Sequence, residues 1–273
     1  MTTALLFLAM LVIAEDPFRQ LPHEPRDGQG LNPLLQNPLM VIHPPNLYLG
    51  FVGFVVPFAF AIGALASGRL DTQWIRSIRR WTLVAWLFLG VGILLGGQWA
   101  YVELGWGGYW AWDPVENAAF MPWLPATAFL HSVQVQDRRR MLKVWNLSLI
   151  IVAFSLTIFG TFLTRSGIIS SIHAFSSGPV GIFFLSFLAF VLLGSFGLLA
   201  YRADLLKEQP ELDSMVSRES AFLLNNIVLV SALFTIFLGT IFPLLSEAVA
   251  GVQVSVGAPY FNSVTVPLFL FLV

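Results

Sequence analysis

The sequence has no cysteine, so it can form no disulfide, no thiolate metal site and no cysteine nucleophile. Any metal or redox chemistry must therefore use histidine, carboxylates or a bound cofactor. Charge is scarce too: 11% of residues are Asp, Glu, Lys or Arg against 57% hydrophobic, and the mean hydropathy is +0.78. That leaves too little polar surface to cover a water-soluble globule and marks an integral membrane protein whose solvent is a lipid bilayer. The net charge of −1, with few and scattered bases, excludes a general affinity for nucleic acid. The sequence also lacks a Gly-rich phosphate loop, an internal repeat and a low-complexity tract, and no serine–histidine pairing suggests covalent hydrolysis.

Residues 1–14 are apolar but have neither a basic leading region nor a small-x-small cleavage site, and they fall short of the roughly 20 residues that cross a bilayer. The run at 263–273 is likewise apolar and stops without a cap or flanking charge. Both read as parts of cut spans, so the chain is expected to be a fragment of a longer protein. Complete spans are predicted at 46–67, 81–102, 119–135, 144–163, 180–201 and 221–246. The expected fold is all-α: one polytopic transmembrane helical bundle over 1–273, with six complete spans and a truncated span at each end.

Between the spans lie three outer segments. The first, 15–45, is rich in Pro, Gly, Asn and Asp and ends at His43-Pro44-Pro45; the prolines place His43 at the membrane lip, just before the next helix begins. The second is 103–118 and the third 164–179. Arg69, Arg76, Arg79, Arg80, Arg138, Arg139, Arg140, Lys143, Arg202, Lys207 and Arg218 all fall in loops on the opposite face, against Arg19, Arg26 and Arg165 on this one. Cytoplasmic loops hold the excess of Lys and Arg, so the three outer segments face away from the cytoplasm.

The second outer segment contains Trp106-Gly107-Gly108-Tyr109-Trp110-Ala111-Trp112-Asp113-Pro114-Val115-Glu116-Asn117. Scattered Trp at an interface needs no ligand, since it anchors to headgroups. Here Trp106, Tyr109, Trp110 and Trp112 cluster around two glycines, which suits stacking on a planar, apolar ligand. Asp113 and Glu116, three residues apart at a Pro-led helix start, suit capping better than acid/base chemistry.

His43 and His173 flank this loop in sequence and reach the same surface. A lone loop histidine is usually only solvated, but two beside an aromatic platform suit the ligation of a haem iron from both sides. His131 lies inside the 119–135 span, where an ionisable group is costly: it is either functional or a neutral imidazole donating to a neighbouring helix. His23 has no supporting context.

These residues resemble the tryptophan-rich WWD signature of haem-handling membrane proteins. Leu31-Asn32-Pro33-Leu34-Leu35-Gln36-Asn37-Pro38, Ile42-His43-Pro44-Pro45, Met121-Pro122-Trp123-Leu124, Gly160-Thr161-Phe162-Leu163-Thr164-Arg165-Ser166-Gly167 and Ser171-Ile172-His173-Ala174-Phe175 narrow the resemblance. Over essentially its whole length the chain is similar to the CcmF family, the haem lyase subunits of cytochrome c maturation. The resemblance implies a bacterial inner-membrane protein whose periplasmic face binds haem b and presents it to apocytochrome c for thioether attachment. A haem chaperone and thiol-handling maturation subunits would be its other partners.

By the same resemblance His43 and His173 match the external haem ligands, and His131 matches the first ligand of a second, transmembrane b-type haem, whose other ligand would lie after residue 273. Trp106, Tyr109, Trp110, Trp112 and Asp113 complete the candidate cofactor-binding set. Two positions depart from the family's usual pattern: Tyr109 stands where many members have Trp, and Ala111 where many have Phe. Arg165 suits either pairing with a haem propionate or snorkelling to the interface. Within haem biology the alternatives are a haem exporter or a one-piece cytochrome c synthetase. Outside it, a solute transporter would use His131 and Asn225-Asn226 to line its path, although those asparagines are equally suited to interhelical hydrogen bonds.

Overall fold

The computed structural model describes residues 1–14, 16–18, 20, 22–23, 25–28, 30–70, 73–168, 171, 180–207 and 217–272. Among these every regular element is helical, as a bilayer requires of a chain whose backbone groups have no water to bond. The helices are α1 Thr2–Ile13, α2 Leu39–Gly53, α3 Val55–Ser67, α4 Gln73–Glu103, α5 Pro114–Phe120, α6 Trp123–Arg139, α7 Lys143–Ser166, α8 Val180–Tyr201, α9 Arg218–Ala250 and α10 Ala258–Phe271. Short 3-10 turns occur at Pro33–Leu35 and Ala203–Leu206.

Five stretches among the described residues are long and apolar enough to cross a membrane: Leu39–Ser67, Trp74–Glu103, Lys143–Ser166, Val180–Tyr201 and Arg218–Ala250. They contain five of the six predicted spans. The sixth, 119–135, coincides with the end of α5 and most of α6. At 17 residues, with Gln134, Gln136, Asp137, Arg138 and Arg139 in its last turns, α6 does not meet that standard of length and composition. Its surroundings explain the difference. The helix packs against α4, α7 and α9 and buries Leu124, Ala128, Phe129, Ser132, Val133 and Gln136, so protein rather than lipid covers it. Ser132 and Gln136 find partners inside: Ser132 donates to Asn146 Oδ1, and Asn146 Nδ2 donates to Gln136 Oε1 at 2.7 Å, with all three residues buried.

A second difference concerns the first long span. The helix starts at Leu39 rather than at 46, so His43 sits inside α2 and not ahead of it, and Pro44 and Pro45 are helical. Each proline costs the helix a bond to residue i−4, so Pro44 and Pro45 cannot donate to Met40 O and Val41 O. Asn46 Nδ2 donates to Ile42 O at 2.7 Å, one turn back. The same span breaks between α2 and α3 at Phe54, where Pro57 lacks the N–H that Gly53 O would accept.

α2 and α4 run antiparallel along a seam with a glycine at every level. A methyl at Gly50 would lie 2.5 Å from Leu89 Cα, one at Gly53 2.8 Å from Ala85 Cβ, and one at Gly92 2.7 Å from Leu47 Cα. Small residues let membrane helices approach until backbones touch, which replaces the hydrophobic drive that lipid cannot supply. The basic loops meet at one end of the bundle. There Arg202 donates to Leu65 O and Ala66 O at 3.0 and 2.9 Å, Arg76 pairs with Asp137 at 2.9 Å, and Arg139 approaches Glu219 at 3.5 Å. α1 lies beside α8, with Phe7 edge-on to Phe184 at 5.8 Å.

Candidate functional site

The end of the bundle opposite the basic loops is built by the Trp-rich segment and the helix it leads into. Asp113 caps α5, its Oδ2 accepting from Val115 N at 2.9 Å, and Pro114 occupies the first helical position. Glu116 completes a capping box: its Oε2 accepts from Asp113 N and from Ala111 N, both at 3.1 Å. Both carboxylates therefore hold backbone, as their spacing suggests. Asn117, buried behind them, donates through Nδ2 to Trp112 O and to Thr240 Oγ1 of α9, each at 3.1 Å.

Those bonds hold Trp112 at φ +60°, a left-handed conformation that costs an L-residue roughly 1–2 kcal/mol. The turn sends its indole toward α10, where it stacks on Phe261 at 4.9 Å and donates through Nε1 to Asn262 Oδ1 at 2.8 Å. Trp112 is thus committed to packing on one side. Trp110 points elsewhere, edge-on to Trp112 and to Phe120 at 5.9 Å each. Tyr109 is exposed and stacked on Tyr101 at 4.5 Å. Trp106 is half-buried, and the adjacent Gly107 adopts φ +73°, with no atom within 4 Å of where its Cβ would stand.

His43 meets this loop across a small cleft. His43, Ile93, Gly96, Trp99, Trp110 and Ala119 are among the residues that line about 100 Å³ of space. Pockets that enclose whole ligands run to roughly 300–1,000 Å³, so this one admits the edge of a flat molecule rather than surrounding it. The imidazole is half-buried with Nδ1 2.8 Å from Gly92 O. A carbonyl can only accept, which assigns the proton to Nδ1 and the lone pair to Nε2. That is the usual arrangement of a metal-ligating histidine whose second nitrogen is fixed by a backbone carbonyl. Trp99 also donates through Nε1 to Leu34 O at 3.0 Å, and Asn37 Nδ2 bonds Glu103 Oε1 at 2.7 Å. These two contacts tie the segment around the Pro33–Leu35 turn to the last turns of α4.

His173 lies outside the described residues. Ser171, two positions earlier, donates to Asp113 Oδ2 at 2.7 Å, which ties the third outer segment to the cap of α5. His131 is half-buried in α6, far along the chain from the cleft; its ring lies against Phe222 of α9 at 5.6 Å, and its buried Nδ1 has no hydrogen-bond partner among the described residues. Asn226 nearby on α9 bonds within its own helix, to Phe222 O at 2.9 Å, rather than across helices. Among the described residues no three His, Asp or Glu side chains converge as metal ligands.

Sequence reasoning missed Gly92 and Gly96, Asn117 with Thr240, and the Phe261–Asn262 pair. Asn117 had a visible signal, standing inside the motif with an amide in an apolar setting. The others depend on contacts far apart in sequence.

Residues 1–170 match the family described as Cytochrome C assembly protein. The cytochrome c-type biogenesis protein CcmF of Pseudomonas aeruginosa is 55% identical over 96% of the chain and 40% of its own length. That of Escherichia coli K12 is 50% identical over 94% of the chain and 40% of its own length. A solved structure titled Cytochrome c Heme Lyase CcmF superposes with a TM-score of 0.77 at 39% identity, covering 99% of this chain and 38% of that one. The chain spans about 40% of the length of the curated relatives it matches.

Proposed function

The chain belongs to the cytochrome c assembly protein family, within its CcmF branch, and from that premise we propose that it forms the haem-presenting part of a cytochrome c haem lyase. The observation that carries this reading is the His43 imidazole, oriented by Gly92 O, in a cleft it shares with Trp110. Haem b is the substrate of the outer site, and His43 and His173 would hold its iron. Trp110, Tyr109 and Trp106 supply aromatic surface for the macrocycle, and the capping box and Asn117 keep that surface in place. Trp112 and Asp113 act one step back, as the loop's fixings. Ala111, where many family members have Phe, removes one ring from the platform without touching these fixings.

The partners are apocytochrome c, a haem chaperone and thiol-handling maturation subunits. Each thioether forms as a cysteine S–H of the partner adds across a vinyl C=C, sulfur bonding one carbon and the proton ending on the other, with no net redox change. This chain binds and orients; the nucleophile comes from the cytochrome. The site faces the periplasm of the bacterial inner membrane, opposite the basic loops.

His131 is read as a ligand of a second, b-type haem inside the membrane, with the other ligand outside this chain. Its unpartnered buried Nδ1 is what supports the fit. When bound, that haem would supply an electron carrier, and the chain's part would be to hold it through His131 of α6.

Absorption spectra of the intact purified protein test both assignments. His43→Ala or His173→Ala should lose the outer haem's axial-ligand signature, and His131→Ala should selectively remove a b-type signal. Spectra unchanged in the first two variants would sink the outer site, and a retained b-type signal in the third would sink the inner one.

A further inference from the structure

The adjacent glycines Gly96 and Gly97 of α4 stand where the two halves of the outer site touch the same helix. A methyl at Gly96 would lie 2.6 Å from His43 Cε1, 3.1 Å from Nδ1 and 3.2 Å from Nε2. One at Gly97 would lie 2.9 Å from Tyr109 O, the backbone of the Trp-rich loop. The bland reading is that both merely extend the glycine seam between α2 and α4. The identity of the nearest atoms argues against it for Gly96. At Gly50 and Gly92 an added methyl meets backbone atoms of the opposite helix, whereas at Gly96 the three nearest atoms all belong to the imidazole. What a larger residue at 96 strikes first is the histidine ring rather than the opposite backbone. Rotation of the ring away from the methyl abandons the bond from Nδ1 to Gly92 O that fixes the tautomer.

We propose that Gly96 is a positioning residue for His43, and that Gly97 holds the Trp-rich loop to the same turn of α4, so that ligand and platform share one register. The haem consequence rests on the outer-site reading given above; the positioning itself does not. The expected results follow from which group each methyl would strike. In the intact protein, Gly96→Ala reduces the His43-dependent ferric haem signature as His43→Ala does, while Gly97→Ala retains His43 ligation and instead shifts the tryptophan near-UV circular dichroism. A readout without haem separates the two ideas. In the haem-free protein, carbethoxylation of His43 by diethyl pyrocarbonate, followed by mass spectrometry, should rise several-fold in Gly96→Ala and stay at the wild-type rate in Gly97→Ala.

Should Gly96→Ala accumulate poorly, combining it with His43→Ala should restore accumulation to that of His43→Ala alone, since the obstructing ring is gone. Wild-type carbethoxylation of His43 in Gly96→Ala, or no restoration in the double variant, overturns the proposal. An altered carbethoxylation rate with a haem spectrum indifferent to His43→Ala upholds the positioning and overturns the haem assignment instead.

Discussion

Glu116 shows how a buried carboxylate can serve shape rather than reaction. It accepts from two backbone N–H groups that the turn through Trp112 would otherwise leave unpaired. Removing such an acceptor exposes each donor's desolvation cost, about 1–3 kcal/mol apiece. Glu116→Ala is therefore expected to lower the melting temperature measured in detergent by several degrees and to open the 103–113 loop to proteolysis. Glu116→Gln, which keeps an acceptor oxygen, should fall between the variant and wild type. The capping half of this role was legible, because a carboxylate three residues past an N-cap has a known geometry. The bond to Ala111 N was not, because it exists only once the loop folds back at Trp112. The same limit hid Asn117, whose second partner, Thr240, is far away in sequence.

At the level of helices, hydropathy marks the long apolar elements, whether lipid or protein covers them. The predicted spans within α4, α7, α8 and α9 lie inside the observed helices, since long apolar runs have few other uses. α6, which holds most of the predicted 119–135 span, is shorter and more polar, and neighbouring helices enclose it and let it carry Ser132 and Gln136. The start of α2 was misplaced because Pro44-Pro45 was read by its local habit, while packing against the glycines of α4 holds those residues helical. That packing makes a sharp contrast testable. Gly50→Ala puts a methyl 2.5 Å from Leu89 Cα, and backbone cannot step aside as a side chain can. Gly63→Ala, in α3 with nothing within 4 Å, should be neutral or gain about 0.5–1 kcal/mol from helix propensity. Thermal unfolding of the two variants side by side should show a large loss in the first and none in the second.

For the molecule as a whole, polarity was legible from charge alone. The Arg and Lys counts separate two ends, and the contacts from Arg202, Arg76 and Arg139 draw the basic loops together. With no cysteine in the chain, single-cysteine labelling can read the orientation against a clean background. A membrane-impermeant maleimide should label Gly28→Cys in cells with a permeabilised outer membrane and should not label Arg69→Cys until the inner membrane is breached; the reverse pattern would invert the topology.

The Trp112 indole docks on a part of the chain that the family match does not reach. The family-defining match ends at residue 170, yet the stack and the hydrogen bond that receive this indole come from Phe261 and Asn262, and the amide that braces its carbonyl leans on Thr240. The stretch that the family model matches and the stretch that must fold together are thus different. A unit excised at residue 170 would carry every letter of the Trp-rich signature and lose the wall against which the signature is set. Grafting this loop onto another scaffold would require bringing α9 and α10 along with it.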